Sequence, residues 1–282
     1  MSSDHVNVAI HEFGGNGRPL LLSHATGFHG YCYLPIADRL DQQFTSYALD
    51  YRGHGATPCN DDWDGDWFRY GDDALAAARR IAPDGGLIGF GHSMGATGLL
   101  MAAHREPGLF DLIIGFEPIV FPTAMPDDGG DQDGPPSMVE GARRRRPTFP
   151  SFEAAVDNYA SKPPFQFVDS DMLRLYVAHG FRPSPEGVRL KCDPAHEALT
   201  FMGGAGHRLW DALPEIDTRV VVIGGGDGEG PAQIAPGIAE RLPDCLFISQ
   251  PDSTHFGPFV DPAGTADLIV DLTAGLTTDL TT

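Results

Sequence analysis

The chain has 282 residues, 41% of them hydrophobic, and a formal net charge of −20. This composition supports a sizeable core and excludes a disordered chain, while the negative charge disfavours binding to nucleic acid or to an anionic membrane surface. Four scattered cysteines without C-x-x-C spacing predict free thiols, and nothing near the first residue resembles a secretory signal, so we expect a cytoplasmic protein without metal or cofactor.

The first part of the chain alternates short apolar runs with a helical pattern. The run at 6–13 alternates in polarity, which suggests an early antiparallel strand. Further strands are predicted at 19–23, 44–49, 87–90 and 112–116, and a helix at 67–81. Alternation of this kind predicts an α/β fold with parallel strands and crossover helices.

The pattern breaks between residues 121 and 150, which are rich in Pro, Gly and Asp, and short helices are predicted at 151–159 and 169–179. Regular alternation returns with strands at 219–224 and 246–248 and helices at 234–242 and 263–276. We therefore expect a core made of residues 1–121 and 214–282, with residues 122–213 inserted as a mainly helical cap.

The most informative motif is G-x-S-x-G at 91–95, placed between a strand and a helix. A serine on such a tight turn is held in a strained conformation, and its hydroxyl projects from the end of the sheet over the start of the helix. The flanking glycines are needed because strand and helix come too close for a side chain. Ser93 is therefore a candidate nucleophile, and the alternative is a turn with a helix-capping serine.

A serine hydroxyl needs a base, and the base needs an orienting acid. His255 is the candidate base because it follows the last strand, at the sheet edge where active sites of open α/β sheets gather. Asp227, directly after the strand at 219–224, is the favoured acid. Glu229 and Glu117 are the other options, and a simple turn aspartate is the alternative for Asp227.

The oxyanion of an acyl-transfer reaction needs backbone N–H donors. Met94, after the serine, should supply one, and Thr26, in the loop after the strand at 19–23, should supply the other. His24 could brace that loop by hydrogen bonding.

These residues resemble the α/β-hydrolase superfamily, whose chain order is nucleophile, acid, histidine. His24–Phe28 looks like its histidine–glycine oxyanion loop, with Ala25 where glycine is usual, and Asp50–Thr57 is similar to its D-x-R-G-x-G-x-S loop. The resemblance implies an eight-stranded, mostly parallel sheet flanked by helices, a Ser93–His255–Asp227 triad and no cofactor. It excludes members with an aspartate nucleophile but does not choose a reaction, because this fold hosts many chemistries.

The leading hypothesis is hydrolysis of a small, largely apolar ester, lactone or thioester through an acyl-enzyme. The alternatives are hydrolysis of a carbon–carbon bond in a diketone-type metabolite, a cofactor-free perhydrolase or haloperoxidase, acyl transfer, and a ligand-binding module on the same scaffold. A small-molecule substrate is the expected partner, and an apolar cap helix could pair with a second copy of the chain in a homodimer. Six residues are candidates to line the pocket, although each could equally be packing: Phe28, Tyr31, Phe121, Phe165, Phe167 and Met172. The arginines at 143–146 could bind a carboxylate, or could be solvated or pair with nearby aspartates.

Overall fold

Parallel strands flanked by helices form the centre of the protein, in a computed structural model that describes residues 1–123, 138–226 and 230–274. The strands are β1 (Ala9–Gly15), β2 (Arg18–Ser23), β3 (Phe44–Asp50), β4 (Leu87–His92), β5 (Phe110–Phe116), β6 (Thr148–Phe149), β7 (Phe181–Ser184), β8 (Gly187–Leu190), β9 (Val220–Gly225) and β10 (Cys245–Gln250). The helices are α1 (Leu34–Ala37), α2 (Phe68–Ile81), α3 (Met94–Arg105), α4 (Met138–Arg143), α5 (Phe152–Ala160), α6 (Ser170–Gly180), α7 (Pro194–Gly203), α8 (Leu209–Ala212), α9 (Pro231–Arg241), α10 (Gly257–Val260) and α11 (Pro262–Ala274).

The central sheet has the strand order β1-β3-β2-β4-β5-β9-β10. Neighbouring strands are parallel except for β1, which pairs antiparallel with β3, as the alternating pattern suggested. Strands β2 and β4 lie inside the sheet, and their continuous apolar runs are those of strands buried on both faces. The α/β-hydrolase fold expected from the sequence is confirmed.

The number of strands differs from the expectation. Seven strands form this sheet in the part of the chain that the structure describes, where the resemblance implied eight. The apolar runs in the sequence account for these seven, and the eighth came from the resemblance alone. Before β1 the chain makes a turn, with the Ser2 N–H bonded to the Val6 carbonyl, instead of another strand.

Successive side chains of a strand point to opposite faces, so the sheet is covered on both sides. Leu20 and Leu22 of β2 pack into one buried cluster, which includes residues of α1 and α11. Leu21 packs into the other cluster, with α2, α3 and α9. The carboxyl ends of the parallel strands therefore carry loops that are fixed from both faces.

The segment expected to form a cap contains α4 to α8 and a three-stranded antiparallel sheet in the order β6-β8-β7. The two helices predicted there correspond to α5 and α6, but the small sheet was not expected, because strands of two to four residues are too short to show a period. Helix α7 is bound to the core: Trp67 Nε1 donates to the Thr200 carbonyl at 2.8 Å, and the Tyr70 hydroxyl is 2.8 Å from Thr200 Oγ1. Among the described residues, no helix combines the length and apolar character that crossing a membrane requires.

Candidate active site

Ser93 stands on the turn that the motif predicted, between β4 and α3. Its backbone has φ 57° and ψ −122°, a strained conformation for a residue other than glycine. A Cβ at Gly91 would lie 2.4 Å from Ala96 Cα, and one at Gly95 would lie 2.2 Å from the Ser23 carbonyl oxygen. Glycine is therefore required on both sides of the serine, as the sequence indicated.

His255 lies in the loop between β10 and α10, and its ring is held by Glu117. Glu117 Oε2 is 2.5 Å from His255 Nδ1, and Glu117 Oε1 accepts the Gly225 N–H at 2.7 Å. The glutamate is 1% exposed and the histidine 27%. A carboxylate can only accept, so His255 carries a proton on Nδ1, and its Nε2 is left as the atom that can take a second proton.

Glu117 directly follows β5, and the strand order explains why it lies close to Ser93. Strand β5 lies between β4 and β9, so its carboxyl end is next to the turn that bears Ser93. The Ser93 N–H donates to the Phe116 carbonyl at 2.8 Å, and the Glu117 N–H donates to the Ile223 carbonyl at 2.8 Å. The backbones of Ser93 and Glu117 are thus both hydrogen-bonded to strands of the central sheet.

Asp227, the acid favoured from the sequence, and Glu229 both lie outside the described residues. The carboxylate that the structure places on His255 is Glu117, which the sequence analysis ranked behind Asp227. Spacing along the chain could not choose between them, because both follow a predicted strand.

No hydrogen bond joins Ser93 Oγ to His255 in the described structure. The two residues are nevertheless neighbours, since the ring of His92, next to Ser93, lies 5.0 Å from the His255 ring. Nucleophile–base hydrogen bonds are often long before a substrate binds, so this geometry is compatible with a serine–histidine pair.

The loop after β2 approaches the start of α3, as an oxyanion loop should. Thr26 Oγ1 lies 3.5 Å from Met94 Sδ, so the two residues chosen as donors are in contact. Among the described residues no acceptor takes the Thr26 N–H, which leaves this donor available to a ligand. The next N–H, of Gly27, donates to His54 Nε2 at 3.1 Å.

Two buried histidines brace this loop. His24 Nδ1–H donates to the Ala25 carbonyl at 2.8 Å, and its Nε2 accepts the Tyr51 N–H at 2.9 Å, which confirms the bracing role expected for His24. Burial lowers the pKa of His24 to about 4, although the nearby Asp50 carboxylate opposes the shift. Burial, with His24 as a close neighbour, also holds the pKa of His54 well below its ordinary value. Both rings are therefore neutral at physiological pH, as their acceptor roles require.

Aromatic rings lie between the candidate oxyanion loop, residues 24–28, and the loop of residues 251–256 that carries His255, which we call the histidine loop. Phe28 lies at the centre, with ring centroids 4.6 Å from Phe259, 5.3 Å from Tyr176, 5.8 Å from Phe165 and 6.0 Å from Phe256. We call these five residues the aromatic cluster. Phe28, Tyr176 and Phe259 are buried in this cluster, and Phe165 and Phe256 are half-buried.

Of the six predicted pocket residues, Phe28 and Phe165 are in the aromatic cluster. Tyr31 stacks on His179 at 3.7 Å instead. Phe167 is 63% exposed, Met172 is completely buried in the core, and Phe121 is half-buried after β5.

Arg145 is the arginine of the 143–146 run that approaches the aromatic cluster. Its Nη1 lies 2.7 and 2.6 Å from the two carboxylate oxygens of Glu197 in α7, and its Nη2 donates to the hydroxyls of Tyr159 and Tyr176. A Cβ at Gly27 would lie 2.5 Å from Glu197 Oε1, so the ion pair rests directly on the oxyanion loop. The aspartates weighed as partners of the run fall outside the described residues.

Comparisons with known proteins place the chain in a family. The sequence of residues 20–268 matches the alpha/beta hydrolase family. A 2-(acetamidomethylene)succinate hydrolase of Mesorhizobium japonicum is 25% identical over 267 residues, 91% of this chain and 88% of the relative. An N-formylmaleamate deformylase of Pseudomonas putida is 35% identical over 116 residues, 39% of this chain and 41% of the relative. The crystal structure of an E-2-(acetamidomethylene)succinate hydrolase has a TM-score of 0.73 and 22% identity, with 94% of each chain covered.

The chain therefore belongs to the alpha/beta hydrolase family, and it is a hydrolase.

Proposed function

We propose that the protein is a serine hydrolase that cleaves a small carboxylic acid derivative through an acyl-enzyme, with Ser93 as nucleophile, His255 as base and Glu117 as acid. The observation that carries the proposal is the buried Glu117 carboxylate on His255 Nδ1, beside a serine with positive φ. The proposed triad has Glu117 as its acid, where the sequence analysis favoured Asp227. The chemistry of the triad is the same with either carboxylate.

The residues divide the work as follows. His255 Nε2 takes the hydroxyl proton of Ser93 as the oxygen attacks the substrate carbonyl, and the Glu117 carboxylate stabilises the imidazolium that forms. The N–H groups of Met94 and Thr26 donate to the developing oxyanion. His255 then protonates the leaving group, and water repeats the sequence to release the acid from Ser93.

The surroundings favour a small substrate without a net charge. The half-buried Phe165 and Phe256 of the aromatic cluster offer apolar surface, and the charge of Arg145 is already matched by Glu197. A partly buried cation paired in this way attracts a substrate carboxylate weakly, because the carboxylate would have to displace Glu197. An ester, lactone or thioester therefore fits the described part of the site.

A second substrate class is supported by the relatives. The names of the two relatives describe an N-acyl compound, acetamido in one and N-formyl in the other, on an acid skeleton. Hydrolysis of a short N-acyl group needs the same nucleophile, base and oxyanion donors as ester hydrolysis. We therefore propose short N-acyl amides of unsaturated acids as the alternative substrate.

Two experiments test the proposal. Intact-mass spectrometry after fluorophosphonate treatment should show one adduct on the wild type and none on Ser93→Ala, with a strongly slowed reaction in His255→Ala. Failure to label folded wild-type protein would remove the proposed function. Comparison of kcat/KM for aryl acetates and butyrates with that for N-formyl and N-acetyl enamides of dicarboxylic acids should then decide between the two substrate classes.

A further inference from the structure

A chain of hydrogen bonds connects the oxyanion loop with the histidine loop behind the candidate triad. The Tyr33 hydroxyl accepts the Ala25 N–H at 3.2 Å and lies 3.0 Å from His92 Nδ1. On the other side of the ring, His92 Nε2 lies 2.8 Å from the main-chain oxygen of His255. We call Tyr33 and His92 the relay pair.

Burial fixes the direction of these bonds. Tyr33 is completely buried and His92 is 1% exposed. The His255 carbonyl can only accept, so His92 Nε2 carries the proton, and His92 Nδ1 accepts the proton of the Tyr33 hydroxyl. Burial lowers the pKa of His92 well below its ordinary value and raises that of Tyr33, so neither group changes its charge near neutral pH.

The relay pair restrains two distances that the triad alone does not fix, from Ser93 to the histidine loop and from Ser93 to the oxyanion loop. Glu117 holds the His255 ring at Nδ1, but the backbone of the histidine loop could still move relative to Ser93. His92 is the chain neighbour of Ser93, and its side chain donates a hydrogen bond to the His255 carbonyl. His92 therefore holds the proposed base at a fixed distance from the proposed nucleophile. Tyr33 extends the same constraint to Ala25, whose neighbour Thr26 is the proposed oxyanion donor.

We infer that Tyr33 and His92 are positioning residues, which hold the oxyanion donor and the general base at their working distances from Ser93. The inference rests on the proposed function. Neither side chain touches the reacting atoms, so both act through Ala25, Ser93 and His255.

Variants of His92 can separate the two halves of the relay. Asparagine has its amide close to the position of Nδ1 and can keep the bond with Tyr33, whereas glutamine reaches towards Nε2 and can keep the bond to the His255 carbonyl. Tyr33→Phe removes the hydroxyl and leaves both of its partners unpaired. Tyr70→Phe is a matched control, since Tyr70 is equally buried and its hydroxyl bonds to Thr200 and to neither loop, while the phenylalanine keeps the ring in place.

We expect Tyr33→Phe and His92→Asn each to lower kcat by about 10- to 100-fold with KM within threefold, because misplaced donors and bases lose transition-state stabilisation more than binding. Rates are expressed per site titrated with fluorophosphonate, so partial unfolding does not count as lost catalysis. Hydrogen exchange should be faster at residues 24–28 in Tyr33→Phe and in His92→Gln, and faster at residues 253–257 in His92→Asn. The double variant Tyr33→Phe/His92→Asn should lose less than the product of the two single losses.

Three results would overturn the inference. A kcat per titrated site within twofold of wild type in both single variants would remove the catalytic role. Equal losses in Tyr70→Phe would show a general effect of removing a buried hydroxyl. Altered exchange without any labelling of wild-type Ser93 would show that the loops are connected but that the proposed function, and with it a positioning role, is wrong.

Discussion

Replacing Glu117 by glutamine should abolish most of the activity while preserving the fold. The amide has nearly the same shape, but it carries no charge, and its NH₂ group cannot accept from His255 Nδ1. If the amide donates instead, the imidazole proton moves to Nε2, the atom that must take the proton of Ser93. The substitution therefore removes the stabilising charge and favours the inactive tautomer.

The structure sets the expected size of the loss. Glu117 is 1% exposed and Oε2 lies 2.5 Å from the ring nitrogen, so solvent screens the pair weakly. Two unit charges about 4 Å apart interact by about 4 kcal/mol at an effective dielectric constant of about 20. Since about 1.4 kcal/mol corresponds to a factor of ten, the charge alone accounts for about 10³ in kcat, and the tautomer effect raises the loss towards about 10⁴.

The assay is steady-state hydrolysis of an aryl ester, with thermal unfolding as the check on folding and Asp227→Asn as the comparison. We expect Asp227→Asn to retain kcat within about threefold of wild type, because the bond between Glu117 and His255 is left intact. A folded Glu117→Gln protein with more than a tenth of wild-type kcat, together with a 10³-fold loss in Asp227→Asn, would refute the assignment of Glu117.

Three further predictions concern the loops around the site. Burial lowers the pKa of His24 to about 4, so between pH 6.5 and 4 the unfolded chain binds a proton at His24 that the folded chain does not bind. The urea concentration at the midpoint of unfolding should therefore fall as the pH falls through this window. A constant midpoint would contradict a neutral His24. Arg145→Met leaves the Glu197 carboxylate buried without its arginine partner, so it should lower the free energy of unfolding by about 3–5 kcal/mol. The double variant Arg145→Met/Glu197→Leu should restore most of this loss in the same urea titration. Gly27→Ala places a Cβ 2.5 Å from Glu197 Oε1 at a residue with φ 79°, so it should cost about 1–3 kcal/mol in stability and also reduce kcat; full activity would show that the loop adapts freely.

Apolar runs predicted the inner strands of the central sheet, because strands buried on both faces leave a continuous apolar signal, and alternating polarity predicted β1 at the edge. The turn at Ser93 and the position of His255 followed from the same strands. The eighth strand, which only the resemblance implied, is not found in the described part of the chain, and Met1–Val6 carries no apolar run and forms a turn.

The acid could not be chosen from the sequence for a different reason. Asp227 and Glu117 both follow predicted strands, and the hydrogen bond between Glu117 and His255 joins loops that are far apart in the chain, so only the folded structure shows it. Long-range contacts also determine where the Tyr31 ring lies, since it stacks on His179, which is far away in the sequence. For His92, the variable position beside the serine gave no signal, because its partners are the distant Tyr33 hydroxyl and a main-chain carbonyl.

The bond from the Ser93 N–H to the Phe116 carbonyl has an evolutionary consequence. Because β4 and β5 are adjacent strands, a backbone shift at the carboxyl end of β5 moves Ser93 and Glu117 together. Directed evolution of this protein should therefore leave residues 116 and 117 unchanged and vary positions that are further from this bond.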